Sequence, residues 1–184
     1  MQLKRRTLLS GLTASAAVPF MSAAHAKQAG ADTKWDKETD VLVIGYGGAG
    51  ACAAIEAHDK GSKVLIIEKM AQPGGNTAIS SGGFMVPQDG PTALKYLTAT
   101  YDLANSEKDD ELLNTFCKEI MGVKDWMTGL KEGTELWVYG HAGFQNLPGW
   151  EVIDKYRVRG KKRSGDCLFD LYRYAVEEKR NIPV

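Results

Sequence analysis

The chain has 184 residues, of which 43% are hydrophobic, 25% charged and 9% aromatic, and this globular composition excludes wholesale disorder. Its 23 basic and 23 acidic residues cancel, so the charge gives no indication of nucleic-acid binding. The cysteines, Cys52, Cys117 and Cys167, are odd in number and far apart, which argues against a disulfide framework and a Cys-x-x-Cys haem or metal site. No other cluster has the spacing of metal ligands.

Residues 1–26 have the pattern of an export signal. Lys4, Arg5 and Arg6 form a basic start, an apolar stretch follows, and Ala24-His25-Ala26 is a small-x-small cleavage site. The apolar stretch contains proline and hydroxyl residues, so it is too weak for a stable membrane span of about 20 residues. Residues 27–38 are polar and predict a linker.

The twin arginine followed by Thr7-Leu8-Leu9 resembles a twin-arginine signal, which carries folded proteins and suits one that loads a cofactor before export. This predicts a periplasmic or other extracytoplasmic protein. An ordinary secretory signal and an uncleaved amphipathic start are the alternatives.

A strand, a glycine turn, a helix and a second strand follow within about 30 residues. The apolar run 40–44 ends at a G-x-G-x-x-G motif whose glycines are Gly45, Gly47 and Gly50, and the second run ends in Glu68. This combination predicts a Rossmann-like dinucleotide site: a tight turn, a close approach of pyrophosphate, a packed helix, and an acid for the ribose hydroxyls. A glycine turn in an unrelated α/β protein is the alternative.

A second glycine-rich segment, residues 73–83, follows the acid almost at once. Four glycines, an amide and three hydroxyls make poor helix and poor strand material. They suit a loop that places backbone and short donors against a large polar ligand, although a plain surface loop is also compatible with them. The spacing alone leaves both NAD and FAD open.

The remaining pattern predicts helices from Pro91, from a Ser106/Asp109 cap to Gly133, and from an Asp166 cap to about Arg180. The first helix presents one face made of Leu94, Leu97, Thr98 and Tyr101. The second has a stripe expected in the core: Leu112, Phe116, Ile120, Val123, Met127 and Leu130. The third is expected to bury Leu168, Leu171, Tyr172 and Ala175.

Residues 135–139 predict a short strand, residues 140–165 a loop, and residues 182–184 the start of a strand that returns to the sheet. The basic cluster at 157–163 is read either as a solvated loop or as an anion-attracting rim around an active site. His58 is expected at the surface, His141 either at the surface or in the site, and Cys52 as a small buried residue.

The stretch from Asp40 to Pro87, with D-V-L-V-I-G-Y-G-G-A-G, I-E-K and P-G-G-N-T-A-I-S-S-G-G-F-M-V-P, resembles the FAD-dependent fumarate reductase and 3-ketosteroid dehydrogenase superfamily. The resemblance implies an α/β fold with a parallel sheet, in which residues 39–184 are the N-terminal part of a Rossmann-like FAD-binding domain. It also implies that the chain is incomplete and ends before a substrate-capping domain, so that this portion alone is expected to be inactive.

The resemblance implies that FAD is bound by residues of both glycine-rich segments and by the acid between them. The predicted cofactor-binding residues are Gly45, Gly47, Gly48, Ala49, Gly50, Glu68, Lys69, Gly74, Gly75, Asn76, Thr77, Ser81, Gly82 and Gly83. The last three are expected near the flavin ring. Asn76 stands where members with covalent flavin have histidine, which predicts non-covalent FAD.

The implied reaction is hydride transfer through flavin N5 to or from a carbon–carbon bond next to a carbonyl or carboxylate, with a small-molecule substrate and an extracytoplasmic electron-transfer partner. Gly143 stands at the position of the catalytic tyrosine in Δ1-dehydrogenating members, which argues against that reaction. No catalytic residue is assigned; Tyr139 is a candidate acid near the flavin. The alternatives are an NAD(P)-dependent dehydrogenase and a non-catalytic nucleotide-binding fragment.

Overall fold

A β-α-β unit begins the fold of residues 34–184, the part of the chain that the computed structural model describes. Strand β1 (Val41–Ile44) leads into helix α1 (Gly48–Asp59), and strand β2 (Val64–Ile67) pairs in parallel with β1. The predicted α/β class and parallel sheet are confirmed. The predicted signal at 1–26 lies outside the described residues.

The two faces of this parallel sheet differ in their burial. Val43, Val64 and Ile66 are buried in the main core, which also includes residues of α1 and of the last helix. The side chains of Leu42 and Ile44 are exposed on the other face. The alternation follows from the period of two along a strand.

Helix α2 (Gly75–Ile79) and strand β3 (Phe84–Pro87) follow the parallel sheet. Strand β3 joins a second, antiparallel sheet with β4 (Leu136–His141) and β5 (Ile153–Val158), in the order β3-β5-β4. The short strand expected at 135–139 is present, but the expected loop at 140–165 contains β5. A 3₁₀ turn, Trp150–Val152, leads into that strand.

Helix α3 (Gly90–Leu103) has Pro91 in its first turn, as predicted. Asp89 caps it by accepting a hydrogen bond from the Thr92 N–H at 3.0 Å. The buried face is centred on Ala93 and Tyr96 rather than on the predicted residues. Leu94 and Leu97 pack at its edge, and Tyr101 is exposed.

The predicted second helix is divided in two. Helix α4 (Asp110–Glu119) begins after Asp109, whose own carboxylate accepts from the Leu112 N–H, so the expected Ser106 cap is wrong. A 3₁₀ turn, Ile120–Gly122, separates α4 from α5 (Val123–Gly129). The apolar stripe is therefore correct only in its second half.

Met127 and Leu130 are buried as expected, whereas Leu112 and Phe116 are exposed. In α4 the buried positions are Leu113 and Cys117, one residue further along. The 3₁₀ turn has fewer residues per turn than the flanking helices, so a stripe drawn through it does not keep one face.

Helix α6 (Ser164–Arg173) continues into a π-helical turn, Tyr174–Glu178. Asp166 lies in its first turn and pairs with Arg163, so it is not the expected cap. Leu168, Leu171 and Ala175 are buried as predicted, and Tyr172 packs against the core. After the turn, the carbonyl of Pro183 accepts a hydrogen bond from the Ile66 N–H at 3.0 Å, so the segment reaches the parallel sheet, but residues 182–184 do not form the expected strand.

Candidate functional site

The first glycine turn connects β1 to the N-terminus of α1. Gly45 has φ +97°, a conformation that side chains rarely adopt, and Gly47 caps the helix. A Cβ on Gly50 would collide with the carbonyl oxygen of Gly45, so glycine is required for this close approach. The first-turn N–H groups of α1 have no acceptor within the helix and carry partial positive charge, which suits a pyrophosphate.

Glu68, directly after β2, holds the first glycine turn in place through a hydrogen bond to its backbone. Its Oε2 accepts the N–H of Tyr46 at 2.6 Å, and its Oε1 accepts the N–H of Met70 at 2.8 Å. These backbone hydrogen bonds, that from Tyr46 first, lower the pKa of Glu68. An ionised carboxylate has about four acceptor positions, so oxygen lone pairs remain for ribose hydroxyls.

The second glycine-rich segment lies directly against the first. The Gly74 N–H donates to the carbonyl of Tyr46 at 2.8 Å, and Gly47 and Gly74 form a parallel bridge. Thr77 Oγ1 accepts the N–H of Gly48 at 3.0 Å. The segment is not wholly irregular as expected, because α2 forms within it after Gly74, which has φ +117°.

The end of this segment contacts two further elements. The Gly82 N–H donates to Ser80 Oγ at 2.9 Å, and a Cβ on Gly82 would collide with the backbone of Ser164 at the start of α6. A Cβ on Gly83 would collide with the hydroxyl of Tyr139 on β4. Residues 82–83 therefore lie between α6 and the antiparallel sheet, with Tyr139 beside them.

The structure brings the two predicted segments and the acid together. Gly82 and Gly74 are buried, whereas the side chains of Asn76 and Ser81 are exposed and accessible to a ligand. Lys69 is also exposed, and the described contacts do not tie its side chain to either glycine turn. Its assignment to the cofactor stays a prediction.

Tyr46 is a structural part of the site that the sequence reasoning missed. Its side chain is fully buried and meets Phe169 of α6 edge-on, with 5.3 Å between ring centroids. Burial, followed by the charge of Glu177, raises the pKa of the Tyr46 hydroxyl. A large aromatic residue between the first two glycines was the available signal, because such a side chain must pack somewhere. Tyr46 fixes the turn to α6.

Of the histidines within residues 34–184, His58 and His141, neither has a glycine turn among its described partners. His58 is on α1 beside Asp59. His141 is in β4 rather than in a loop, and its Nδ1 lies 3.1 Å from Oδ1 of the buried Asp154. Within residues 34–184, no group of three His, Cys, Asp or Glu side chains is placed to hold a metal ion.

Cys52 is only partly buried in α1, near Tyr172, and burial raises the pKa of its thiol. The prediction that Cys52 is a buried residue is therefore wrong, because its side chain stays partly exposed. No helix within the described part of the chain is long and apolar enough to cross a membrane.

The arrangement fits a dinucleotide with two phosphates. A helix N-terminus faces the glycine turn, a carboxylate with free acceptor positions stands at the neighbouring strand end, and short polar side chains line the adjoining segment. A side chain at Gly50 would collide with the carbonyl oxygen of Gly45 and disrupt the glycine turn. The residues present therefore fit FAD or NAD on geometry alone.

Comparisons with known proteins distinguish between these cofactors. The family described as "FAD binding domain" matches residues 40–161. The acrylate reductase flavoprotein subunit of Shewanella woodyi is 49% identical over 87 residues, which are 46% of this chain and 17% of that protein. The fumarate reductase (cytochrome) of Shewanella frigidimarina is 33% identical over 152 residues, covering 78% of this chain and 25% of that protein.

Among solved structures, the 3-ketosteroid-Δ4-(5α)-dehydrogenase of Rhodococcus jostii has a TM-score of 0.62 at 22% identity, over 83% of this chain and 38% of that one. This likeness concerns the fold. The chain thus spans a quarter or less of the length of the two curated relatives described above. Because the family match covers most of the chain and both glycine turns, the chain belongs to the FAD binding domain family, with FAD as its cofactor.

Proposed function

We propose that the chain is the FAD-binding part of an oxidoreductase that reduces a C=C bond next to a carboxylate or carbonyl, or dehydrogenates the corresponding C–C bond. The names of the relatives, which include an acrylate reductase and a fumarate reductase, support this substrate class. The observation that carries the proposal is the parallel bridge between Gly47 and Gly74, which joins the two glycine turns into one binding surface.

Each part of this surface has a separate task. Gly47 and the N-terminus of α1 bind the pyrophosphate, and Glu68 accepts hydrogen bonds from the ribose. Residues 81–83 position the redox-active ring. When bound, the flavin supplies hydride transfer, and the chain orients it and limits the access of water.

FAD retention tests the binding role. In Gly47→Ala the new Cβ would lie 3.6 Å from the Gly74 oxygen, an ordinary contact, so the variant is expected to fold. The methyl group would nevertheless stand where the pyrophosphate approaches, and we expect the flavin absorbance retained after gel filtration to be lost. Gly129→Ala is the control, because a Cβ there meets no atom within 4 Å. Equal FAD retention by both variants would overturn the proposal.

We also propose that the flavin is held without a covalent bond, since Asn76 lacks the imidazole nitrogen that would attach it. After acid precipitation of the loaded chain, the yellow colour is expected in the supernatant. Colour that stays with the pellet would contradict this.

We expect no turnover of acrylate or fumarate with reduced methyl viologen by these 184 residues alone, because they offer no assigned catalytic acid. Robust turnover would contradict that expectation.

We propose, finally, that residues 1–26 direct export by the twin-arginine route, with an electron-transfer partner outside the cytoplasm. The basic start and the small-x-small site support this. In a bacterial host, the full chain is expected in the periplasmic fraction. The double change Arg5→Lys and Arg6→Lys should keep it in the cytoplasm, and unchanged export of that variant would exclude the twin-arginine route.

A further inference from the structure

The basic residues between positions 157 and 163 differ in their partners. Three of them face carboxylates at ion-pairing distance: Arg159 with Glu135 at 3.2 Å, Lys162 with Asp170 at 2.6 Å, and Arg163 with Asp166 at 2.8 Å. Their charges are locally balanced. Arg157, on β5, is different.

Arg157 is half-buried and faces aromatic rings instead of acids. Its guanidinium carbon lies 3.9 Å from the ring centroid of Tyr139 and 6.0 Å from that of Trp137. Within residues 34–184 it has no carboxylate at ion-pairing distance, and its buried Nε has no hydrogen-bond acceptor. A buried donor on a charged group without an acceptor is costly, which indicates that an acceptor completes this position.

A β-bulge places this cation next to the flavin-binding segment. Arg157 pairs with Trp137, and the register shifts between Val138 and Gly140, so Tyr139 is the extra residue. Tyr139 thereby reaches the guanidinium with its ring while its hydroxyl lies against Gly83. Bulges commonly redirect a side chain beside a functional site.

We propose that Arg157 binds a carboxylate group of the substrate beside Gly83, with Tyr139 holding the guanidinium plane in place. This inference rests on the proposed function, which places the flavin ring at residues 81–83. The planar fork of an arginine matches the two oxygens of a carboxylate, and an aromatic face fixes the plane without neutralising the charge. The Tyr139 hydroxyl offers a second donor near the same place.

The test follows the Nε–Hε signal of Arg157 by NMR in the FAD-loaded, ¹⁵N-labelled chain. Arg157→Lys identifies the signal, because that variant lacks it. Succinate, a dicarboxylate that the flavin cannot reduce, is expected to shift the signal in a saturable way, whereas neutral succinamide should not.

Arg157→Gln should weaken succinate binding about tenfold to a hundredfold, the loss expected for a charge-assisted hydrogen bond. Arg159→Gln, the matched control, should change it less than about twofold, as for an exposed ion pair.

Equal succinate affinity in wild type and Arg157→Gln would overturn the inference, and so would a signal that responds to FAD but not to succinate, which would assign Arg157 to the cofactor. The wild-type titration decides this even if the glutamine variant fails to fold. Retained FAD without a succinate response refutes only the inference. Failure of the wild-type chain to bind FAD refutes the proposed function as well, so the two failures are distinguishable.

Discussion

The Oγ1 atom of Thr77 accepts a hydrogen bond from the backbone N–H of Gly48 at 3.0 Å, although 29 positions separate the two residues in sequence. This bond ties helix α2 to the first turn of α1, where the phosphates of the cofactor are expected. The two glycine-rich segments are thus held in position before any ligand arrives, which reduces the ordering cost of binding.

Replacement of Thr77 by valine keeps the shape of the side chain but removes the acceptor. We expect FAD to bind about threefold to tenfold more weakly, because one neutral hydrogen bond contributes about 0.5–1.5 kcal/mol. Titration of the chain with FAD, followed by quenching of flavin fluorescence, measures this. Thr77→Ser keeps the hydroxyl and should bind FAD nearly as the wild type does; a serine variant as weak as the valine variant would assign the effect to packing.

Glu68→Gln tests the acid that holds the glycine turn. The two carboxylate oxygens face two N–H donors, from Tyr46 and Met70, and a glutamine can offer an oxygen to only one of them. We expect FAD affinity to fall about tenfold, since hydrogen bonds to charged groups are the stronger ones. Glu132→Gln, at an exposed position, is the control.

The pH dependence of FAD binding gives a second measurement on Glu68. Its pKa is lowered, so the carboxylate stays ionised below the range of an ordinary glutamate, and the affinity that depends on it is lost only as the pH falls through this lowered pKa. Wild-type affinity should therefore be level from pH 8 to about pH 5. A loss centred above pH 6 would show that another group controls binding.

Asp59 and Arg180 join the end of α1 to the segment after the π-helical turn. Arg180 donates through Nε to Oδ1 at 2.7 Å and through Nη2 to Oδ2 at 2.6 Å, and these bonds hold the pKa of Asp59 at about 2. The stabilisation is complete above the unfolded pKa near 3.8 and disappears as the pH falls towards 2. Asp59→Asn should therefore lower the free energy of unfolding at pH 7, and its deficit should shrink between pH 4 and pH 2.

Urea unfolding at pH 7, 4 and 2.5 measures this difference. Asp36→Asn, at an exposed position before β1 and outside any helix, serves as the control and should follow the wild type at all three values. A deficit of Asp59→Asn that does not change with pH would show that the salt bridge contributes through packing and not through charge.

The sequence predicted the β-α-β unit because every local signal agreed there: apolar runs with a buried face, a glycine turn, and a helix ended by Gly61. The sequence did not predict β5, because Asp154, Lys155 and Arg157 of this strand are charged. These charges obscure the alternation of apolar and polar residues that indicates a strand. The buried carboxylate of Asp154 meets Tyr156 of its own strand, and His141 and Gln88 from neighbouring segments. Such partners become visible only when the strands pair.

The site was predicted as a set of residues but not as an assembly. The spacing of Gly45, Gly47 and Gly50 carries a recognisable physical requirement, so those positions could be assigned from the sequence. The contact of Thr77 with Gly48 and the bulge at Tyr139 depend on how distant segments pack. No local pattern encodes either of them.

The buried face of α4, which the sequence predicted one residue out of position, can be tested by mutation. Leu113 is 7% exposed and Leu112 63% exposed, although the periodic stripe drawn through Gly122 selected Leu112. Leu113→Ala should lower the free energy of unfolding by about 2–5 kcal/mol, the cost of removing a buried leucine side chain. Leu112→Ala should change it by less than about 0.5 kcal/mol, as an exposed substitution does. Urea denaturation measures both variants; because they differ by one position on the same helix, equal losses would mean that the burial of Leu113 does not set the stability of α4.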